Sequence, residues 1–195
     1  MKKSLGAKTL AFPTPAWIVG TYDREGKPNV MTIAWGGICC SKPPCVNISV
    51  RKERYSYDNI IEKKAFTINI PSEHYIKEAD YFGIATGGKT DKFVDTGLTP
   101  VKSDLVDAPY IEEFPLILEC KMIHKNEIGI HTQFIGEIVD VKADESVLGE
   151  EELPDINKVL PVFFAPVIRT YHGVGKSLGN AFSLGKEIRS LNKKP

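Results

Sequence analysis

The chain has 195 residues, of which 42% are hydrophobic and 26% charged, and its 25 Lys and Arg residues balance 25 Asp and Glu residues. This length suits one domain, which we expect to span residues 1–195. The balanced charge predicts no nucleic-acid partner, and no apolar run approaches the ~18 residues of a membrane-spanning helix, so we expect no membrane association.

The N-terminal half of the chain predicts a series of short strands. Residues 16–23 are apolar and β-branched, and the turn residues of "REGKPN" separate them from a returning strand, "NVMTIAWGG". Residues 45–52 and 65–71 alternate apolar with polar side chains, which is the period of a half-buried strand. Between the returning strand and residues 45–52 we expect "GGICCS", residues 36–41, to be a loop.

The C-terminal half predicts three more strands. Residues 115–129 and 131–144 form a candidate pair, and residues 162–175 form a last strand with a bend at Pro166. Many short strands with few helices indicate a mainly β (α+β) fold, a β-barrel decorated with peripheral helices.

Helices are expected in only three places. The first is residues 54–64, with Ser56 or Asp58 as its cap, and the second is residues 73–84, capped by Ser72. A short third helix is expected in "ELPDINKVL".

The four cysteines predict no metal centre and no structural disulfide. Cys39, Cys40, Cys45 and Cys120 lack paired Cys-x-x-Cys spacing, and the N-terminus lacks the apolar run of a secretory signal. We therefore expect reduced thiols and a cytoplasmic protein.

Three motifs in order carry a resemblance to a known family. They are "G-x-P-N-V-M-T", "DKF-x-x-T-G-L" and "H-x-x-F-I-G-E-I". The chain resembles the flavin reductase-like, FMN-binding split-barrel family and, within it, the flavoredoxins. This resemblance implies a six-stranded split barrel of Greek-key type, a homodimer, and FMN held non-covalently at or near the dimer interface. The barrel would span about residues 10–165, and residues 166–195 would lie over the flavin or the partner subunit.

The resemblance also assigns residues to the flavin ring. Asn29, Thr32 and nearby backbone groups suit the hydrogen-bonding edge of the ring, whereas Met31 and Trp35 suit its flat faces. Gly36 and Gly37 would let the backbone approach closely. The assigned set along this stretch is Asn29, Val30, Met31, Thr32, Trp35, Cys40 and Ser41.

A phosphate needs cations and short donors, and the matching residues are Arg51, Ser56, Tyr57 and Lys92. The alternative is that Arg51 and Lys92 are solvated surface charges.

His131 and Phe164 are the last two candidates. In NAD(P)H-dependent members of the family, a His at the position of His131 lies near the flavin ring and the nicotinamide. Here the preceding residues are Gly129 and Ile130, which departs from the usual pattern. Phe164 lies in the segment that would cover the flavin, and core packing is the alternative for this side chain.

Three functions stay open from the sequence. The first is an electron carrier that exchanges electrons with redox protein partners through bound FMN. The second is an NAD(P)H-dependent flavin reductase, in which hydride passes from the nicotinamide to the flavin. The third is a flavin-storing module or a fold that has lost its flavin.

Overall fold

The computed structural model describes residues 1–186 and 188. Within them the chain is mainly β, with twelve strands, four short α-helices and two 3-10 turns. The predicted fold class, a split barrel with peripheral helices, is confirmed. No helix in this part of the chain is long and apolar enough to cross a membrane.

The strands vary from two to thirteen residues. In chain order they are β1 (Thr14–Pro15), β2 (Trp17–Tyr22), β3 (Pro28–Ile33), β4 (Gly36–Ser41), β5 (Pro44–Arg51), β6 (Ala65–Ile70), β7 (Pro100–Lys102), β8 (Pro109–Ile111), β9 (Leu116–Ile128), β10 (His131–Ala143), β11 (Phe163–Ala165) and β12 (Thr170–His172). The helices are α1 (Tyr55–Lys63), α2 (Ile76–Ile84), α3 (Lys92–Thr96) and α4 (Ile156–Val159), with 3-10 turns at Glu73–Tyr75 and Glu145–Val147.

The main sheet is antiparallel and has the order β3-β2-β6-β9-β10-β5-β4. Its two edge strands, β3 and β4, follow one another in the chain with only Ala34 and Trp35 between them. Three peptide steps span at most roughly 11 Å, so the two edges must face each other. The sheet therefore curls into a barrel that is open along the line between β3 and β4.

The segment "GGICCS" was expected to be a loop, and this expectation is wrong. Residues 36–41 form β4, which pairs with β5 and is the seventh strand of a sheet for which six were expected. The strand begins with two glycines and lies at the edge of the sheet, where neither of its faces is deeply buried. Its sequence therefore lacks the alternating apolar pattern that predicts a strand.

Two apolar clusters fix the geometry of the barrel. The first fills the barrel interior, where Phe66 and Phe134 are fully buried and Tyr57 and Ile60 of α1 close one end. The second lies outside β2 and β3, where α2 and α3 pack through Phe82 and other apolar side chains. Burial of such side chains contributes roughly 1.5–3 kcal/mol each.

Several helix details differ from the expectations. Arg54 occupies the N-cap of α1, so neither Ser56 nor Asp58 caps it, and Ser72 makes no side-chain cap bond. The sequence did not predict α3, whose N-cap Asp91 accepts a hydrogen bond from the Val94 amide at 3.3 Å.

The segment expected as one bent strand is a hairpin of β11 and β12, with β1 paired to β11. Residues 187 and 189–195 of the expected covering segment lie outside the described residues.

Candidate functional site

Three neighbouring cavities surround the end of β3 and the connection that follows it. The first, of about 290 Å³, lies between the ends of β3, β5 and β10. The second, of about 300 Å³, lies between β3, α2 and the β11–β12 hairpin. The third, of about 180 Å³, lies between β3, the start of α1, and α2 with the loop that follows it.

These cavities share walls. Thr32, Ile33 and Ala34 line both the first and the second, Met31 and Arg54 line both the first and the third, and Gly83 lines the second and the third. We call the three together the β3 groove. A single extended ligand can therefore contact several of its compartments.

The third cavity contains a buried cation. Lys92 is 4% exposed, and its Nζ donates hydrogen bonds to the carbonyls of Val30 at 2.7 Å and Phe82 at 2.9 Å. Burial, together with the nearby Arg54 charge, lowers the pKa of Lys92 to about 8. Two carbonyls compensate a buried ammonium only partly, so this cavity favours an anion.

Asn29 and Ser56 form the polar wall of the same cavity. Asn29 Nδ2 donates to Ser56 Oγ at 2.8 Å, and both side chains are buried. Gly87 lies against Asn29, because a Cβ at this position would approach Asn29 Oδ1 to 2.1 Å. The loop backbone thus lies as close to Asn29 as a glycine permits.

The first cavity brings together residues from distant parts of the chain. Arg51 of β5 lies directly opposite His131 of β10 in the sheet. The Trp35 carbonyl accepts a hydrogen bond from the Ser49 amide at 2.8 Å, which fixes the end of β3 against β5. A cation, an imidazole and an indole therefore line one compartment.

The second cavity is covered by the β11–β12 hairpin. The rings of Phe164 and Tyr171 lie 5.5 Å apart, and Tyr171 Oη donates to Asp80 at 2.9 Å. Burial, followed by the Asp80 carboxylate, raises the pKa of Tyr171 to about 12, so this phenol stays protonated. Val167 and Arg169 in the hairpin loop have φ values of 74° and 58°, a strained backbone that directs Arg169 to this cavity.

Most of the predicted site residues line the groove. The first cavity contains Met31, Thr32, Trp35, Arg51 and His131; the second contains Thr32 and Phe164; and the third contains Asn29, Met31, Ser56 and Lys92.

Four predicted residues line none of the three cavities. The Val30 side chain packs in the outer apolar cluster, and Tyr57 packs in the barrel interior, where its hydroxyl accepts from Thr132 at 3.3 Å. Cys40 and Ser41 are exposed on β4. Their roles as flavin contacts stay predictions.

Sequence reasoning missed Arg54, Gly87 and Arg169. Arg54 is the first residue of the predicted helix 54–64 and follows a predicted strand, so its place at a helix N-terminus could have been found. Nothing in the local sequence distinguishes Gly87 or Arg169, because tertiary packing brings them to the groove.

Comparison with known proteins identifies the family. A model described as "Flavin reductase like domain" matches residues 9–165, most of the chain. The chain belongs to the flavin reductase-like domain family. The barrel, including the β3 groove up to Phe164, lies inside the matched region of this domain.

Three individual proteins are similar to this chain, two of them over nearly its whole length. The flavoredoxin of Desulfovibrio vulgaris (Miyazaki F) is 59% identical, with a TM-score of 0.91, over 95% of this chain and 100% of that chain. A flavoredoxin from Methanosarcina acetivorans is 28% identical, with a TM-score of 0.87, over 96% of this chain and 100% of that chain. An uncharacterised protein of Archaeoglobus fulgidus is 33% identical over 67% of this chain and 73% of its own length.

Proposed function

We propose that this protein binds FMN non-covalently in the β3 groove and carries electrons between redox proteins. The observation that carries the proposal is the buried Lys92 ammonium, which faces a cavity and has only carbonyl partners among the described residues. The high identity to a flavoredoxin supports the same function.

The third cavity fits the phosphate of FMN. Arg54 and Lys92 supply two cations, Ser56 Oγ and Asn29 supply short polar groups, and the N-terminus of α1 borders the same compartment. Gly87 packs so closely against Asn29 that a Cβ at this position would overlap Asn29 Oδ1, so a larger residue here would disturb this wall.

The remaining compartments fit the flavin ring. Met31, Trp35 and Phe164 offer flat or polarisable apolar surfaces, and the backbone of Thr32–Ala34 offers donors and acceptors to a ring edge. When bound, FMN supplies the electron-accepting and electron-donating chemistry. The protein positions it, limits its contact with water, and places positive charge from Lys92 and Arg54 beside it.

Flavin reductase activity is the second candidate, because His131 lies in the first cavity with Trp35 and Arg51. In this function His131 would orient a nicotinamide beside the ring. The first cavity is open to solvent on the side of the exposed Arg51, which leaves room for a second ligand.

One experiment separates the two functions. The FMN-loaded protein is mixed without oxygen with NADH, then NADPH, then dithionite, and the flavin absorbance is followed. We expect bleaching by dithionite and inertness toward both nicotinamides. Rapid bleaching by either nicotinamide would support the reductase, and failure of the purified protein to bind FMN would contradict both.

We also propose that the protein is a homodimer. Apolar side chains at both ends of the chain are exposed, including Phe12 at 60%, Leu178 at 81% and Phe182 at 97%. Burial of these side chains against a second copy of the chain would be favourable, because it removes apolar surface from water. Light scattering should give twice the chain mass of 21.6 kDa, and a monomer mass would contradict the proposal.

A further inference from the structure

Two cysteines face each other across the β4–β5 hairpin, outside the β3 groove. Cys40 of β4 is directly opposite Cys45 of β5, and the hairpin loop beyond them is Lys42–Pro43. Opposed residues of antiparallel strands have Cα atoms roughly 4.5–5.5 Å apart. This separation falls within the roughly 4.4–6.8 Å that a disulfide requires.

The two thiols differ in exposure. Cys40 is exposed, whereas Cys45 is 3% exposed. Cys40 Sγ donates to the Lys42 carbonyl at 3.3 Å. Burial, then the nearby thiols of Cys40 and Cys39 and the Glu137 carboxylate, raises the pKa of Cys45. One thiol is thus reachable from solvent, and its neighbour is sheltered but adjacent.

Cys39 is a natural comparison for Cys40. A β-bulge between Ile38 and Cys40 leaves Cys39 without a partner in the sheet register. In such a bulge one residue is left out of the ladder. Cys39 is also exposed, so it matches Cys40 in access to solvent but not in register with Cys45.

We propose that Cys40 and Cys45 form a site of thiol–disulfide exchange, at which the dithiol is oxidised reversibly by a low-molecular-weight disulfide. The Cys40 thiolate attacks one sulfur of the incoming disulfide, the S–S bond breaks, and one thiolate leaves. Cys45 then loses its proton to solvent and attacks Cys40 Sγ, which displaces the second thiolate. The two protein thiols are oxidised, and the two released thiolates take up the two protons.

The order of the steps follows from exposure and acidity. Cys40 is the entry thiol because reagents reach it, and Cys45 is the resolving thiol because it is sheltered. Since its pKa is raised, Cys45 is a thiol at neutral pH and its attack is slow. Closure of the disulfide should therefore accelerate as the pH rises.

The test uses the full-length protein and oxidised glutathione. After incubation, free thiols are counted in denaturant and the intact mass is measured. We expect the wild type to lose half of its four thiols and two hydrogen atoms of mass, with Cys40 and Cys45 linked in the peptide map. Dithiothreitol should restore all four.

Matched variants decide the assignment. Cys39→Ser should form the Cys40–Cys45 disulfide as the wild type does. Cys45→Ser and the better-packed Cys45→Ala should stop at a glutathione adduct on Cys40. Cys40→Ser should form no intramolecular disulfide. Near-native circular dichroism of each variant excludes misfolding.

Three results would overturn the proposal. The first is a wild type that keeps four free thiols at high pH, and the second is one that ends as a stable glutathione adduct on Cys40 with no link to Cys45. The third is a link that maps to Cys39.

Discussion

The Lys92 ammonium donates a hydrogen bond to the Val30 carbonyl at 2.7 Å, and this bond ties α3 to β3. Lys92 thereby has two roles, since it joins two elements and places a charge beside the third cavity. The first role concerns stability, and the second concerns ligand binding. Experiments on Lys92 can separate them because the two roles respond differently to loss of the charge.

Replacing Lys92 should affect ligand binding more than folding. In Lys92→Met we expect FMN affinity to fall about 10- to 100-fold, because a charge-assisted contact contributes about 1.5–3 kcal/mol. Stability of the cofactor-free variant should change little, because removal of the buried charge offsets the loss of the hydrogen bonds to the Val30 and Phe82 carbonyls. Flavin fluorescence titration and urea unfolding measure the two effects, and Lys77→Met, at an exposed site on α2, is the control. Unchanged affinity would exclude Lys92 from the site.

The pH dependence follows from the lowered pKa of Lys92. The pKa of Lys92 is about 8 in the fold against 10.5 for an ordinary lysine, so between these pH values the unfolded chain binds a proton that the folded chain has lost. Stability of the cofactor-free protein should therefore rise with pH over that range, and FMN affinity should fall as the ammonium is lost. Unfolding and FMN-binding titrations of the wild type and of Lys92→Met from pH 7 to pH 10 test both trends. If stability and FMN affinity change equally with pH in the two proteins, Lys92 is not the group responsible.

Arg54 should recognise the phosphate rather than the ring. It lies at the N-terminus of α1, lines two cavities and has no ion-pair partner in the described part of the chain. We expect Arg54→Gln to weaken FMN about 10-fold and to leave riboflavin, which lacks the phosphate, unchanged. Arg24→Gln removes an exposed arginine paired with Glu62 and is the control. If FMN and riboflavin lose affinity equally, Arg54 does not recognise the phosphate.

Two adjacent glycines provide a steric test. A Cβ at Gly87 would lie 2.1 Å from Asn29 Oδ1 and 2.9 Å from Tyr55 Cδ1, whereas one at Gly88 would meet Tyr55 only at 3.5 Å. Gly87→Ala should therefore displace Asn29 from Ser56 and lower FMN affinity at least several-fold, and Gly88→Ala should not. Affinity loss of the same size in both variants would mean that loop flexibility, not contact with Asn29, is responsible.

A buried carboxylate that lines none of the three cavities should control stability. Glu119 is fully buried, neither of its carboxyl oxygens has a hydrogen-bond partner among the described residues, and Lys142 Nζ lies 3.5 Å away. Lys142→Met should lower the free energy of unfolding by about 1–3 kcal/mol, because it leaves Glu119 without compensation. The exposed Lys121→Met on the same sheet is the control. Recovery of stability on adding Glu119→Leu would confirm the pairing, and a lone Lys142→Met with wild-type stability would refute it.

Alternating side chains predicted most of the sheet. Residues such as Val46, Ile48 and Val50 repeat with period two, and they point into the barrel as that period requires. The same reasoning failed for β4 because Ile38 is 64% exposed and its neighbours are glycine and cysteine, so no buried face marks the strand. Five-residue α3 was missed for a similar reason, since it is too short for helical periodicity.

The candidate site was predicted best where one strand supplies it. Asn29, Met31 and Thr32 lie along β3, and the sequence motif contains all three. Arg169 reaches the groove from the loop of the β11–β12 hairpin, where its φ is 58°, and no local pattern encodes such an approach. Spatial proximity of this kind depends on the packing of the whole chain.

The pairing of Arg51 with His131 has a consequence for how the protein folds. These residues join early and late parts of the chain, and β6 and β9 lie between them in sequence. Closing so long a loop costs conformational entropy before the strand pairing contributes any stabilising contacts. Such pairings therefore form slowly. The first cavity is therefore assembled late, after β9 and β10 have met β5. A ligand that needs this cavity cannot guide the early collapse of the chain, and its influence on kinetics should fall on the rate of unfolding.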